Sequence, residues 1–263
     1  MKRFSSWLYA LLLIPLLFFG GCSTVSEERE TVAPERSLPD HLVFGVPQET
    51  DLLLSKRGFS IGYSHRMRQA IWVGYILSAE DLTGAKVPRS GKFRADPAVK
   101  FRPVTPEDYN CTGYDRGHLA PAADMARSAQ TMDESFFMTN ISPQVPGCNR
   151  GVWKRLEKQV RQWALKEGRI CIVTGPIFGG GDPAMGSTDI AVPEAFYKVI
   201  LDLTPPRKMI AFVIPNEPSR KRLDAFVVTV DAVEDLTGCD FFSELDDESE
   251  DRMEAESDIS AWR

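Results

Sequence analysis

Residues 149–175 read NRGVWKRLEKQVRQWALKEGRICIVTG, and the change of hydrophobic period inside this stretch decides the fold class. Val152, Leu156, Val160 and Trp163 recur every three or four residues, which predicts a helix over 151–167 with one apolar face. Asn149 stands at or near the N-cap of that helix, and Gly168 ends it. RICIVTG (169–175) then abandons the helical period and reads as a short buried strand. Further out, FYKVILDLT (196–204) and KMIAFVIP (208–215) flank Pro205-Pro206-Arg207 as a hairpin. GFSIGY (58–63) and QAIWVGYIL (69–77), joined by SHRMR, form another. Strands, hairpins and one long helix mix without a βαβα rhythm, so the predicted class is α+β.

The composition, 43% apolar and 26% charged over 263 residues, excludes wholesale disorder and allows one large domain. The net charge of −6 is unevenly distributed. Residues 41–243 hold 25 basic and 23 acidic residues, whereas 244–258 hold nine acids against Arg252. The middle of the chain is therefore not strongly basic, and an anion-binding function would need a local basic groove. The acidic run reads as a solvated tail, whose removal would strengthen attraction for a polyanion at low salt.

At the other end, Lys2 and Arg3 precede an apolar stretch from Trp7 to Phe19, then Gly20-Gly21-Cys22. That stretch is short for a membrane span and reads as an export signal. It resembles a bacterial lipoprotein signal, which implies cleavage before Cys22 and lipidation of its thiol. Secretion or periplasmic release without lipid is the alternative. Lipidation of Cys22 would leave an even set, Cys111, Cys148, Cys171 and Cys239, with three possible pairings. The expected layout is a signal peptide at 1–21, a lipidated cysteine and flexible tether at 22–40, a catalytic domain at 41–243 and an acidic tail at 244–263.

The chemistry-bearing segment is Asp115-Arg116-Gly117-His118-Leu119-Ala120-Pro121. Only His41, His65 and His118 are available as imidazoles. His41 is expected to be exposed and His65 to lie in a turn. Arg116 offers a planar fork suited to phosphate oxygens, and a neutral His118 beside it could take a proton from water. Glu157 and Arg161, four residues apart, share one helix face.

Together DRGHLAPAADM, FFMTNISPQ and NRGVWKRLE resemble the non-specific DNA/RNA endonuclease family, whose site is a ββα-metal (His-Me) finger. The likeness runs over roughly residues 58–243 and includes SGKFRADP, VTGPIF, VPEAFYKV, AFVIPN and LTGCDFF. It implies a mixed or antiparallel sheet flanked by helices, and a metal-dependent endonuclease that cuts DNA and RNA with little sequence preference. It also implies His118 as general base and Asn149 as the one direct protein ligand to magnesium, with manganese as the alternative ion. Glu157 would act on the metal through water, Arg116, Arg94 and Arg161 as catalytic arginines, and Asn140 as a supporting residue. Asp115 would orient its neighbours. The competing reading is a catalytically idle, lipid-anchored nucleic-acid-binding module on the same fold.

Overall fold

Seven strands whose residues alternate between two apolar faces build the centre of the molecule. The computed structural model describes residues 39–181 and 183–262; the expected signal peptide and the lipidated Cys22 lie outside them. The main sheet contains β1 (Leu52–Ser55), β2 (Ser60–Ser64) and β3 (Gln69–Ser78). It continues through β6 (Arg169–Ile177), β7 (Ala195–Asp202), β8 (Met209–Pro215) and β9 (Val227–Val228), in the order β1-β2-β3-β6-β7-β8-β9. Every neighbouring pair is antiparallel. A separate ribbon pairs β4 (Asp115–His118) with β5 (Ile141–Gln144). The hairpins read from the sequence form with boundaries moved by one or two residues.

Two cores result from the period-two alternation. Ile170, Ile172, Phe196, Ile200, Ile210 and Phe212 pack on one side against Leu156, Val160 and Trp163 of α3 (Lys154–Glu167). Cys171, Val173, Tyr197, Val199 and Met209 face the other side. There they meet Val230 and Val233 of α4 (Val230–Thr237) and Met253 of α5 (Asp247–Glu254). Two short helices, α1 (Ala79–Thr83) and α2 (Ala129–Glu134), complete the set of α-helices among the described residues. All four residues of the predicted apolar helix face are buried, at roughly 1.5–3 kcal/mol for each large side chain.

The sequence misplaces the start of this helix. Cys148–Trp153 form a wider π-type turn, broken at Gly151 (φ −103°, ψ −107°), and the α-helix begins at Lys154. Trp153, not Asn149, occupies its N-cap. The far end agrees with expectation: Gly168 has φ +88° and donates its N–H to the Ala164 carbonyl.

The acidic end is not a solvated tail. It belongs to the same compact unit as the rest of the domain. Asp246 caps α5 through the Ser249 N–H, Met253 is buried, and Trp262 is 1% exposed. The Trp262 ring lies 5.2 Å from that of Trp163, and the Lys208 ammonium sits over it and donates to the Ala261 carbonyl. Two buried aromatic and thioether anchors outweigh the acids that dominate the composition of this stretch. Cys111, Cys148, Cys171 and Cys239 are all free thiols, so none of the three pairings forms.

Candidate active site

The β4–β5 ribbon and the start of α3 close around one cleft of about 350 Å³, lined by Arg89, Arg116, His118, Asn149, Glu157 and Arg161 among others. His118 is the last residue of β4 and pairs with Ile141. Gly117 is required beside it, because a Cβ there would stand 2.1 Å from the Gln144 side-chain oxygen. The chain after His118 is fixed by Asn140, which is wholly buried. Its Oδ1 accepts from the Ala120 N–H, and its Nδ2 donates to the Ala120 and Ser135 carbonyls. Asn140 thus holds the turn that orients the imidazole and does not line the cleft.

The His118 ring is 8% exposed and packs between Phe93 and Phe136, with centroids 5.4 and 5.0 Å away. Burial, and then the charge of Arg89, lower its pKa to about 3. Both effects disfavour imidazolium, so the side chain is neutral at physiological pH and able to accept a proton. Its Nε2 is buried without a hydrogen-bond partner among the described residues.

Asp115 begins the same strand and accepts a bidentate pair from Arg150, at 2.8 and 2.5 Å. It also accepts from Asn149 Nδ2 at 2.8 Å. That bond commits the amide nitrogen and leaves Asn149 Oδ1 as the atom able to meet a cation. Arg116 is held by the Pro106 carbonyl and Asn110 Oδ1, at 2.5 and 3.0 Å, with its guanidinium over the rings of Phe93 and Tyr109.

Glu157 and Arg161 project from one face of α3, as their spacing requires. Arg161 pairs with the buried Asp124 at 2.8 Å, and Tyr75 donates to the other Asp124 oxygen at 3.0 Å. Glu157 has its pKa raised, first by burial and then by Asp124. Lys198, on the sheet strand beneath, offsets part of that charge: its ammonium is wholly buried and lies 4.9 Å from the Trp153 ring.

Arg94 is not in this cleft. It pairs with Asp133, at 2.5 and 3.2 Å, and lies 4.1 Å over the Phe137 ring. Arg89, which the sequence did not single out, stands in the cleft wall instead, 4.9 Å over the Phe136 ring. The segment PRSGKFR carries both arginines, and spacing alone does not say which turns inward. Asp124, inside DRGHLAPAADM, and Lys198 were also unassigned by sequence; a lone lysine in an apolar strand was the signal for the second. His65 is exposed and lies against Tyr63, away from the cleft. His41 is half-buried, not exposed as expected, with its Nε2 2.8 Å from Ser60 Oγ.

The donor set suits a hard divalent cation. It offers one neutral amide oxygen and one nearby carboxylate, leaving room for waters and for substrate oxygens. Four arginines on the same walls would favour a phosphate.

The chain is similar to known nucleases. The model of the DNA/RNA non-specific endonuclease family matches residues 39–248. Nuclease C1 of the fungus Cunninghamella echinulata is 38% identical over 78% of this chain and 88% of its own length. A nuclease of a Nostoc species is 32% identical over 90% of this chain and 93% of its own. Human mitochondrial endonuclease G is 33% identical over 74% of this chain and 70% of its own. Among solved structures, endonuclease G in complex with its inhibitor EndoGI superposes with a TM-score of 0.74. That match has 29% identity and covers 80% of this chain and 92% of the other.

Proposed function

The chain belongs to the DNA/RNA non-specific endonuclease family and is a hydrolytic nuclease, and from that premise we propose how its own residues act. It cuts phosphodiester bonds of DNA and RNA with little sequence preference, with His118 as general base and a divalent cation at Asn149. The observation that carries this reading is the meeting, in one cleft, of a neutral buried imidazole, an amide oriented by Asp115, and four arginines.

His118 takes the proton of the attacking water. Arg89, Arg116 and Arg161 hold the phosphoryl oxygens and neutralise the charge that grows on them. Asp115 keeps Asn149 turned with Oδ1 toward the cleft, and Asp124 fixes Arg161. Asn149, with Glu157 through water, would hold Mg²⁺ or Mn²⁺, which when bound supplies Lewis-acid stabilisation of the phosphoryl group and the departing 3′-oxygen.

Digestion of plasmid and of RNA, with magnesium and with chelator, tests the reading. Both substrates are expected to be cut with magnesium and neither with chelator. Asn149→Ala is expected to lose at least about 10–100-fold in activity at limiting magnesium, the usual cost of removing even a residue that only supports a metal ligand. Unchanged magnesium dependence in that variant would remove the ligand role.

The two arginines of PRSGKFR give a sharper contrast. Arg89→Ala is expected to lower kcat by about 10²–10³-fold, the usual cost of removing one donor to a developing negative charge. Arg94→Ala is expected to stay within a few-fold of wild type, since it loses a partly exposed pair with Asp133. Single-turnover cleavage of a short duplex separates the outcomes, and a larger loss at Arg94 would reverse the assignment.

The N-terminal sequence supports a lipid-anchored envelope location. Incorporation of labelled fatty acid into the wild type and its loss in Cys22→Ser are expected; absence of label in the wild type would leave an exported enzyme without lipid.

A further inference from the structure

Asp231 in the first turn of α4, Glu234 one turn later and Glu254 at the end of α5 bring one carboxylate oxygen each within 4.8 Å of one another. Two oxygens that share a calcium ion at about 2.4 Å can stand no more than about 4.8 Å apart, so three such groups fit around one ion. Glu254 adds an observation that clustering alone does not. The residue is 7% exposed, and its Oε1 is buried with no hydrogen-bond partner among the described residues. The largest charged influences on it are all acidic: Glu234, Glu250, Asp231 and Asp240. It also closes a helix at the C-terminal end, where the dipole favours a cation and opposes a carboxylate. A buried carboxyl in such surroundings requires a counter-charge or a proton.

We propose that Asp231, Glu234 and Glu254 form a calcium site that ties α5 to α4. The donors are all oxygen, which disfavours zinc and copper. Their exposure rises outward from Glu254 through Glu234 to Asp231, which leaves the outer coordination positions to water. Glu234 is held by the Phe241 N–H at 2.7 Å, so one of its oxygens is fixed and the carboxylate is oriented. Calcium tolerates the irregular, partly hydrated geometry that two peripheral helices can offer, whereas magnesium demands near-octahedral ligands. The site lies on the face of the sheet opposite α3, among the residues that pack with Val230, Val233 and Met253. Its role is structural: it offsets the repulsion among acids that would otherwise push the C-terminal segment away from the domain.

The test uses the full chain, stripped of metal with chelator, and follows thermal unfolding in added calcium chloride. At about 100-fold above the Kd, calcium is expected to raise the midpoint by roughly 5–10 °C in the wild type. The same rise is expected in Asn149→Ala, which removes the proposed ligand of the catalytic cleft. It is expected to vanish in Glu254→Gln and in Asp231→Asn. Asp231 is exposed, so its variant decides the matter if Glu254→Gln fails to fold. Three results overturn the proposal: no rise in the wild type, an equal rise in Asp231→Asn, or a rise abolished by Asn149→Ala. The first is the outcome expected if Glu254 carries a proton in place of a metal, and the last if calcium acts only at the catalytic cleft.

Discussion

Replacing His118 with alanine is expected to lower turnover by about 10²–10⁴-fold, the usual contribution of a positioned general base. The ring is enclosed by Phe93 and Phe136, so alanine also leaves a cavity beside the cleft. His118→Gln keeps most of that volume and serves as the control: an equal loss in both variants traces the effect to proton transfer and not to packing. The pH profile gives an independent readout. The active form of the base is neutral and predominates above its pKa. Since burial and Arg89 lower that pKa to about 3, the acid limb of kcat/KM is expected below the ordinary histidine value of 6.5. Arg89→Ala removes one of the two causes and should move the limb upward. Wild-type cleavage by either His118 variant would exclude it as the base, and an acid limb at or above 6.5 would show that the imidazole is not held neutral in the working enzyme.

What could be read from the sequence was whatever is carried by local period or by a contiguous motif. The apolar repeat of Val152, Leu156, Val160 and Trp163 is a property of seventeen consecutive residues or fewer, and it predicts the helix and its buried face, just as the four-residue spacing of Glu157 and Arg161 predicts that they share one face. The apolar runs at 196–202 and 209–215, set either side of Pro205-Pro206-Arg207, predict a hairpin for the same reason. The failures all depend on contacts remote in the chain. Asn149 has the side chain of an N-cap, but the bond it makes is to Asp115, 34 residues away, and Gly151 breaks the helix in front of it. Arg94 and Arg89 share a loop, and what separates them is Asp133, which captures Arg94 from another segment. Lys198 looks like an interruption in an apolar strand until the packing of α3 shows which acids lie above it.

Ending the chain at Ser243 is expected to destabilise the domain, the reverse of what its charge suggests. On composition alone, removing nine acids should favour polyanion binding at low salt and do little else. The structure gives these residues a packing role. Trp262 is 1% exposed against Trp163, and Met253 is 2% exposed beneath α4. Losing a buried tryptophan alone costs about 3–5 kcal/mol, or roughly 6–20 °C in midpoint for a domain of this size. Trp163 lies on α3, two residues beyond Arg161, so the helix uncovered is the one that carries Glu157 and Arg161 into the cleft. Activity of the shortened chain is therefore expected to fail at a lower temperature than that of the full chain, whatever its affinity for nucleic acid. Trp262→Ala separates the two effects, since it keeps every acid and removes only the anchor. Thermal unfolding of both variants, with polynucleotide affinity across a salt series, provides the measurement. If the chain ending at Ser243 unfolds at the wild-type midpoint, the segment does not stabilise the fold. Tighter binding at low salt in that chain, with Trp262→Ala unchanged, would then assign the acids an electrostatic role at the substrate groove.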